Sequence, residues 1–319
     1  NKPKPQFLPN MSHEIRTPIN AVLGMNEMIL RESSDPQILE YAENIRTAGN
    51  TLLGLVNDIL DFSKIEAGKM EIIPVEYALS SLLNDLVNMI QARAEKKGLE
   101  FRVNAEWSLP SDLYGDEIRF KQIVTNILTN AVKYTEKGSV TFTVTSRKID
   151  DDTARIRVSV KDTGIGIKQE DLKKLYSAFE RIEEKRNRTI EGTGLGMNIT
   201  QRLLEMMGSQ LEVHSVYGEG SDFSFELVQK VVNWHPIGDF EESYRHALSQ
   251  HKKYREKFTA PTAKILVVDD TVMNLTVIKG LLKQTKVKID TADSGYEALN
   301  LVTKNRYDII FLDLRMPGI

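Results

Sequence analysis

Residues 38–62, ILEYAENIRTAGNTLLGLVNDILDF, carry apolar side chains at the a and d positions of consecutive heptads. That spacing predicts a long amphipathic helix that supercoils with other helices. Further apolar residues flank the row, so its apolar face is wider than one partner helix can cover. The heptad residues are Ile38, Tyr41, Ile45, Ala48, Leu52, Leu55, Ile59 and Phe62, and the flanking ones are Leu53, Val56, Leu60 and Ile65.

The segment before it, residues 8–29, repeats the heptad spacing and is joined to it by the polar turn RESSDPQ. Pro36 stands where the second helix is expected to begin. The heptad spacing and the turn therefore predict a helical hairpin over residues 1–68. Because its apolar face is too wide for two helices, we expect a four-helix bundle formed by two chains, which is a homodimer.

After Gly68 the apolar period changes from helical to alternating. Residues 69–229 mix strands and helices without a strict βαβ repeat, which predicts a two-layer α/β sandwich on a mixed sheet. The expected helices are 79–97, 116–134 and 195–207. The expected strands are KMEIIPVEY, EFRVNAEW, SVTFTVTSRK, ARIRVSVKD, QLEVHSVY and DFSFELVQ.

The C-terminal part divides into a linker and a second α/β unit. Residues 230–262 are polar and predict a linker with one amphipathic helix. In residues 263–319, apolar strands alternate with helices, which predicts a doubly wound parallel sheet cut off after its third strand. The apolar face of the linker helix comprises Phe240, Tyr244, Leu248 and Tyr254.

Composition excludes several classes of function. The 319 residues contain no cysteine, which rules out a disulfide scaffold and a thiolate metal site and fits a reducing compartment. A net charge of −3 gives no sequence-wide reason to expect nucleic-acid binding. No apolar run approaches the roughly 20 residues that span a bilayer.

The stretch SHEIRTPINAVLG places His13 at a heptad f position, on the face opposite the apolar row. Glu14 is adjacent and Thr17 shares the histidine's face. Pro18 lacks an amide hydrogen, so the helix can bend there. An exposed imidazole could meet an incoming reagent, although a surface histidine without function gives the same pattern.

Polar residues on the predicted helix 116–134 point to a ligand. Asn126, Asn130 and Lys133 are spaced four and three apart on an otherwise core-facing helix. Such a face suits a ligand that carries phosphate and a hard cation such as Mg²⁺, which prefers oxygen ligands. A solvated helix face is the alternative.

Two glycine motifs follow. In VKDTGIGI, a strand ends at Asp162, and Gly164 and Gly166 allow a sharp turn or close approach to a flat ligand. In EGTGLGM, glycines precede a helix whose free amides can bind an anion, or they form a capping loop. The charged segment between the motifs resembles a lid over a nucleotide. The second motif contains Gly192, Gly194 and Gly196.

Together these motifs resemble the histidine kinases of two-component signalling, over nearly the whole chain. SHEIRTPINAVLG is similar to the family's H box, NILTNAVKYT to its N box, and DTGIGI and GTGLGM to its glycine boxes. AFERI, around Phe179, resembles the F box, with Ile182 where the family commonly has a second Phe. KILVVDD and DIIFLDLRMPG resemble the first half of a receiver domain.

The resemblance implies a nucleotide site for ATP and Mg²⁺ in the Bergerat fold. It implies that Asp162 holds adenine, that Asn130 carries Mg²⁺ on the triphosphate, and that Tyr134 packs near the base. Asn126 and Lys133 would assist at the phosphates. The loop Gly192–Gly196, which includes Leu195, would cradle the phosphates, and the lid residues Lys185, Arg186 or Arg188 could reach them.

The resemblance also implies the chemistry. His13 would accept the γ-phosphoryl group while Glu14 accepts a hydrogen bond from the other ring nitrogen. Thr17 could orient a water for the reverse, phosphatase reaction on a receiver. Asp313 resembles the receiver phosphoacceptor. Asp269 and Asp270 resemble the acidic pair that holds its Mg²⁺, although helix N-capping is another role for them.

Three interpretations follow. The favoured one is a hybrid sensor kinase that passes phosphate from His13 to Asp313, to a separate response-regulator receiver or to a histidine phosphotransfer protein. It would be the cytoplasmic segment of a bacterial sensor, anchored to a membrane only through regions before residue 1. The second is a related ATPase of the gyrase and mismatch-repair kind, which needs a glutamate where Asn126 stands. The third is a non-catalytic dimeric scaffold.

Overall fold

The computed structural model describes residues 7–177, 194–240 and 258–313. Side chains are described from residue 15 onward within these ranges, except those of Lys173 and Met273. The observed fold confirms the predicted class: a helical N-terminal region, an α/β domain on a mixed sheet and a short parallel α/β unit.

The N-terminal region is a hairpin of two helices, α1 (Phe7–Glu32) and α2 (Pro36–Glu66). Helix α1 continues through Pro18. The Asp35 carboxylate accepts a hydrogen bond from the amide of Gln37 at 2.8 Å, which satisfies one free amide at the start of α2. The Asn26 amide donates to the carbonyl of Ala42 at 2.7 Å and ties the two helices together.

The heptad row lies outside the contact between these two helices. Within the hairpin, small residues meet, since Ala21 and Ala42 are buried and Gly49 lies against Leu23. Small residues allow close approach but cover little apolar surface, so the large heptad side chains stay exposed on the single chain. The exposed ones are Val22, Met25, Ile29, Ile38, Tyr41, Ile45, Leu52 and Ile59.

The central domain is built on one sheet, with strand order β1-β3-β7-β5-β4-β2 and β6 paired to β7. The β2–β4 pair is parallel and the other pairs are antiparallel. The strands are β1 (Val75–Ala78), β2 (Glu100–Ala105), β3 (Pro110–Gly115), β4 (Ser139–Lys148), β5 (Thr153–Asp162), β6 (Glu212–Val216) and β7 (Gly220–Pro236).

Three helices pack against this sheet: α3 (Leu79–Lys97), α4 (Glu117–Tyr134) and α5 (Gly196–Met206). Phe120 and Phe225 meet edge to face in the core, with ring centroids 6.1 Å apart. The last turns of α2 join this core through Phe62 and Ile65. Beside them Asp61 accepts hydrogen bonds from Gln122 at 2.8 Å and from Arg119 at 3.4 Å.

Strands β1 and β3 differ from the sequence prediction. The strand expected from residue 69 begins only at Val75, because Pro74 lacks an amide hydrogen and the amide of Ile73 donates to Asp116 at 2.8 Å. Strand β3 was not predicted, since its sequence PSDLYG has no alternating apolar pattern. It forms because β1 and β7 supply partners on both sides.

Strand β7 continues through the first residues of the predicted linker. Residues Lys230–Pro236 pair with β3, so the backbone stays ordered in the sheet where polar composition indicated a linker. Phe240, expected on the linker helix, is buried in the core of the central domain. Tyr244, Leu248 and Tyr254 lie outside the described residues.

The C-terminal unit has three parallel strands in the order β10-β8-β9. These are β8 (Lys264–Val268), β9 (Lys288–Ala292) and β10 (Ile309–Leu312), with the helices α6 (Val272–Leu282) and α7 (Gly295–Lys304) between them. All four residues of β10 are exposed although all are apolar. Leu266 and Val268 are buried at the centre of the sheet.

Helix α6 packs directly on α1. A side-chain carbon added at Gly24 would meet Val277 at 2.6 Å, and one added at Gly280 would overlap the sulfur of Met28. Beyond this glycine contact Lys283 forms an ion pair with Glu32 at 2.8 Å. The two helices therefore approach closely because a glycine stands on each side.

Candidate functional site

Helix α4 positions two asparagine amides against the start of α5. Asp116 caps α4 by accepting a hydrogen bond from the amide of Arg119 at 3.0 Å. Ile123, Ile127 and their apolar neighbours face the core, which leaves Asn126 and Asn130 half-buried on another face. The predicted polar face of α4 therefore exists.

The Asn126 amide nitrogen donates to Thr200 Oγ1 at 2.8 Å and lies 3.7 Å from Met197 Sδ. The Asn130 amide nitrogen donates to the same sulfur at 3.3 Å. Both amides thus turn their nitrogens toward α5.

The glycine at the start of α5 permits this contact. A side-chain carbon at Gly196 would overlap Oδ1 of Asn126. Gly194 has a φ of 71°, in the left-handed region that glycine adopts without strain. Leu195 between them is buried in the core and anchors the loop. Gly192 lies outside the described residues, so the structure places three of the four predicted loop residues.

Asp162 ends β5 and is nearly buried, with 5% of its surface exposed. Burial raises the pKa of its carboxyl group, while hydrogen bonds from the amides of Gly164 and Ser221 oppose that rise. The Gly164 amide lies 2.8 Å from Oδ1. A buried carboxylate held by backbone amides is a rigid hydrogen-bond acceptor.

The first glycine motif joins this carboxylate to the end of α4. The amide of Ile165 donates to the carbonyl of Tyr134 at 3.2 Å. Gly166 has a φ of 65°, and a side-chain carbon there would overlap the carbonyl of Val216. Only glycine fits such a close backbone approach without strain. The glycine motif therefore ties Asp162 to the end of the helix that carries the asparagines.

Lys133 and Tyr134 lie together at the C-terminal end of α4, with the ammonium 5.1 Å from the ring centre. Lys97 donates to the carbonyls of Val132 at 2.8 Å and Lys133 at 2.7 Å. Burial lowers the pKa of Lys97, and the charge of Glu136 opposes that shift. No local pattern predicted this contact, which satisfies carbonyl groups in the last turn of α4.

A cleft of about 250 Å³ opens beside the first glycine motif. Its lining includes Gly164, Ile165 and Tyr217 but neither asparagine of α4. The cleft therefore adjoins the predicted nucleotide site at Gly164.

The predicted phosphoacceptor region lies on α1. The backbone of His13 and Glu14 is helical, and their side chains lie outside the described atoms. Thr17 is half-buried one turn further along. The predicted lid residues Lys185, Arg186 and Arg188, and the F-box residues Phe179 and Ile182, are outside the described ranges.

Three carboxylates converge at the C-terminal ends of β8 and β10. One oxygen from each of Asp269, Asp270 and Asp313 lies within 4.8 Å of the others. Asn274 donates to both oxygens of Asp269, at 3.1 and 2.9 Å, and so orients it. Thr271 occupies the N-cap position of α6. Oxygen donors of this kind fit Mg²⁺.

Sequence reasoning missed Met197, Thr200 and Asn274. Thr200 and Asn274 are small polar residues on helices, where hydrogen bonding to a neighbouring segment has no periodic signal. The apolar spacing of α5 indicates a core position for Met197, and this residue does pack partly against the core.

Comparisons with protein families cover all three parts. Residues 4–68 match the His Kinase A (phospho-acceptor) domain, and residues 115–231 match the histidine kinase-, DNA gyrase B- and HSP90-like ATPase family. Residues 265–319 match the response regulator receiver domain. The chain carries the three domains of hybrid sensor histidine kinases.

Curated relatives agree with that assignment. The chain is 40% identical over 224 residues to the sensor histidine kinase GacS of Pseudomonas protegens, a match that covers 70% of this chain and 24% of that protein. It is 35% identical over 323 residues to the virulence sensor protein BvgS of Bordetella bronchiseptica, covering 100% of this chain and 25% of BvgS. The chain thus spans about a quarter of the length of these relatives.

One solved structure resembles most of the chain. Full-length ShkA in complex with AMPPNP has a TM-score of 0.57 at 28% identity, and the match covers 93% of this chain and 57% of ShkA. Among the described residues, no helix combines the length and apolar character that crossing a bilayer requires.

Proposed function

We propose that this hybrid-kinase segment autophosphorylates His13 from ATP and relays the phosphoryl group to an aspartate. The observation that carries the proposal is the match of residues 4–68, which include His13, to a phosphoacceptor domain in the same chain as the ATPase-type domain. The aspartate would be Asp313 or one on a separate receiver, from which a histidine phosphotransfer protein can be charged. The predicted domains 1–68, 69–229, 230–262 and 263–319 belong to this proposal, although residues 230–236 of the linker complete strand β7 of the central sheet.

In the nucleotide site, Asp162 accepts a hydrogen bond from the exocyclic amine of adenine and Tyr134 packs near the base. The residues present fit Mg²⁺, because Asn130 directs its nitrogen to Met197 and leaves its carbonyl oxygen for a cation. When bound, Mg²⁺ neutralises negative charge on the triphosphate. Asn126, Lys133 and the loop 192–196 bind the phosphates, and one of the lid residues Lys185, Arg186 or Arg188 reaches them.

In the transfer step, one ring nitrogen of His13 forms a bond to the γ-phosphorus while the bond to the β–γ bridging oxygen breaks and ADP leaves. Glu14 accepts a hydrogen bond from the other ring nitrogen and stabilises the positive charge that develops there. The protein's contribution is mainly positioning and charge neutralisation, since phosphoryl transfer needs little acid–base work.

The receiver cluster then accepts the group. A carboxylate oxygen of Asp313 attacks the phosphorus and the bond to His13 breaks, which restores the imidazole. Asp269 and Asp270 fit a Mg²⁺ ion beside Asp313. The packing of α6 on α1 supports a receiver that works on the histidine of its own chain. Thr17 would position a water that hydrolyses the phosphoryl group on a receiver aspartate, which is the phosphatase reaction.

The exposed heptad row supports a homodimer. Large side chains such as Leu52, which is 47% exposed, lie on the outside of the hairpin. Burying apolar surface contributes about 25 cal/mol per Å², so a second hairpin that covers this row stabilises the bundle. The same proposal places the segment on the cytoplasmic side of a bacterial membrane, with any anchor in regions outside this chain.

The competing ATPase function lacks its base. An ATPase of this fold would need a carboxylate at position 126 to activate water, and the amide there donates to Thr200. An amide is not a general base at neutral pH.

The test is incubation of the chain with γ-labelled ATP and Mg²⁺, followed by acid and alkali treatment of the labelled protein. The proposal expects protein-bound label that acid removes and alkali spares, as for phosphohistidine, with alkali-labile label only where the group has moved on to Asp313. ATP turnover without protein label would instead establish an ATPase, and absence of both label and turnover would establish a scaffold.

A further inference from the structure

The contact between α4 and the start of α5 favours one of the two orientations of the Asn130 side-chain amide. A thioether sulfur has lone pairs but no hydrogen to donate, whereas an asparagine amide offers donors at nitrogen and an acceptor at oxygen. At Met197 the sulfur faces the nitrogen of Asn130 at 3.3 Å. Turned by half a rotation, the amide would set its oxygen against the sulfur lone pairs, which repels.

We propose that Met197 is a positioning residue, which fixes the amide of Asn130 so that its carbonyl oxygen stays turned toward the Mg²⁺–nucleotide site. The sulfur accepts from the nitrogen, and the oxygen is left as the ligand that a hard cation prefers. The inference rests on the proposed role of Asn130 in binding Mg²⁺–ATP.

The surroundings make the arrangement specific. Thr200, one turn further along α5, accepts from the nitrogen of Asn126 at 2.8 Å, and that nitrogen lies further from the Met197 sulfur, at 3.7 Å, than the nitrogen of Asn130 does. Gly196 lets α5 come close enough for these contacts, because a side-chain carbon there would overlap Asn126. Met197 also packs partly against the core, so its sulfur has limited freedom to move away.

The packing and hydrogen-bonding contributions of Met197 can be separated by two variants. Met197→Leu removes the sulfur at nearly constant volume, and such exchanges disturb packing little. Met197→Ala removes the sulfur and also leaves a cavity. If only the sulfur matters, the two variants change the Mg²⁺ dependence of nucleotide affinity equally. Met207→Leu is the matched control, because Met207 also packs partly against the core near the end of α5.

The first measurement is calorimetric titration of the full chain with ADP and with a non-hydrolysable ATP analogue, each with Mg²⁺ and with EDTA. The ratio of the two affinities is the Mg²⁺ gain. A net hydrogen bond gives roughly a five-fold preference, so Met197→Leu and Met197→Ala should each reduce the gain about five-fold. Met207→Leu should keep the wild-type gain.

The second measurement follows the side-chain amide resonances of Asn130 by NMR of the full chain, assigned through Asn130→Asp. Loss of the sulfur acceptor should shift these resonances in Met197→Leu and leave them unchanged in Met207→Leu. Unchanged resonances and an unchanged Mg²⁺ gain in Met197→Leu would overturn the inference, as would a loss confined to Met197→Ala. A wild-type chain with no Mg²⁺ gain would overturn the proposed nucleotide role as well.

Discussion

Replacing Gly196 with alanine should have two effects of opposite sign on the free energy of unfolding. Gly196 is the first residue of α5, where the preference for alanine over glycine is at most the roughly 1 kcal/mol of a helix interior. The added carbon, however, would overlap Oδ1 of Asn126 and lie 3.0 Å from its Cγ and Nδ2. Asn126 is held by its 2.8 Å hydrogen bond to Thr200, so it cannot move away without losing that bond.

Overpacking of this kind costs about 1–3 kcal/mol. Subtracting a helix gain of at most about 1 kcal/mol leaves a net loss of about 0–3 kcal/mol in the free energy of unfolding. Displacing Asn126 sacrifices about one hydrogen bond, so nucleotide affinity should fall at least about five-fold. Urea unfolding gives the first quantity and calorimetric titration with ADP gives the second.

Gly54→Ala provides the control, because Gly54 lies within α2 and no described atom approaches its added carbon within 4 Å. This variant should gain about 1 kcal/mol and bind nucleotide like wild type. If Gly196→Ala gained as much stability as Gly54→Ala and kept the wild-type affinity for nucleotide, the close approach of α5 to α4 would not be required for nucleotide binding.

Three further substitutions test other parts of the account. Because burial raises the pKa of Asp162, the folded chain holds this proton to higher pH than the unfolded chain; the carboxyl therefore costs stability above its folded pKa, and this cost vanishes below about pH 4. Asp162→Asn should then be more stable than wild type in thermal unfolding at neutral pH, equal to it in acid, and weaker in ATP binding; a stability gap that widens in acid contradicts this. Leu52→Lys should turn the dimer into monomers in analytical ultracentrifugation, and an unchanged mass would refute the proposed bundle. Gly280→Val should force α6 off Met28 and reduce hydrogen-exchange protection in α6, whereas unchanged protection would show that the contact is not formed in solution.

Regular helices with caps were the most predictable elements. The prediction 79–97 coincides with α3, and 116–134 differs from α4 by one residue at its start, which is the N-cap Asp116. In these helices the apolar period and the capping chemistry are local, so the sequence alone contains them. The ends of β4 and β5 were equally clear, because both strands alternate strictly.

Elements that depend on distant partners were not predictable in the same way. Strand β3 exists because two other strands pair with it, and the helical hairpin meets through Ala21 and Ala42 although its heptad row is far more apolar. In the site, the asparagines and Asp162 were visible as motifs. Met197 ends the second glycine motif, but its contact with Asn130 was not predictable, because it forms only when α5 packs against α4.

The most direct test of the central claim is a pulse of γ-labelled ATP followed by a chase with unlabelled ATP. The account predicts that alkali-stable label appears first on the peptide containing His13 and then declines, while alkali-labile label appears at Asp313 or on an added receiver. His13→Gln should abolish both signals. Equal labelling of His13→Gln and wild type would contradict the claim that this histidine carries the phosphoryl group.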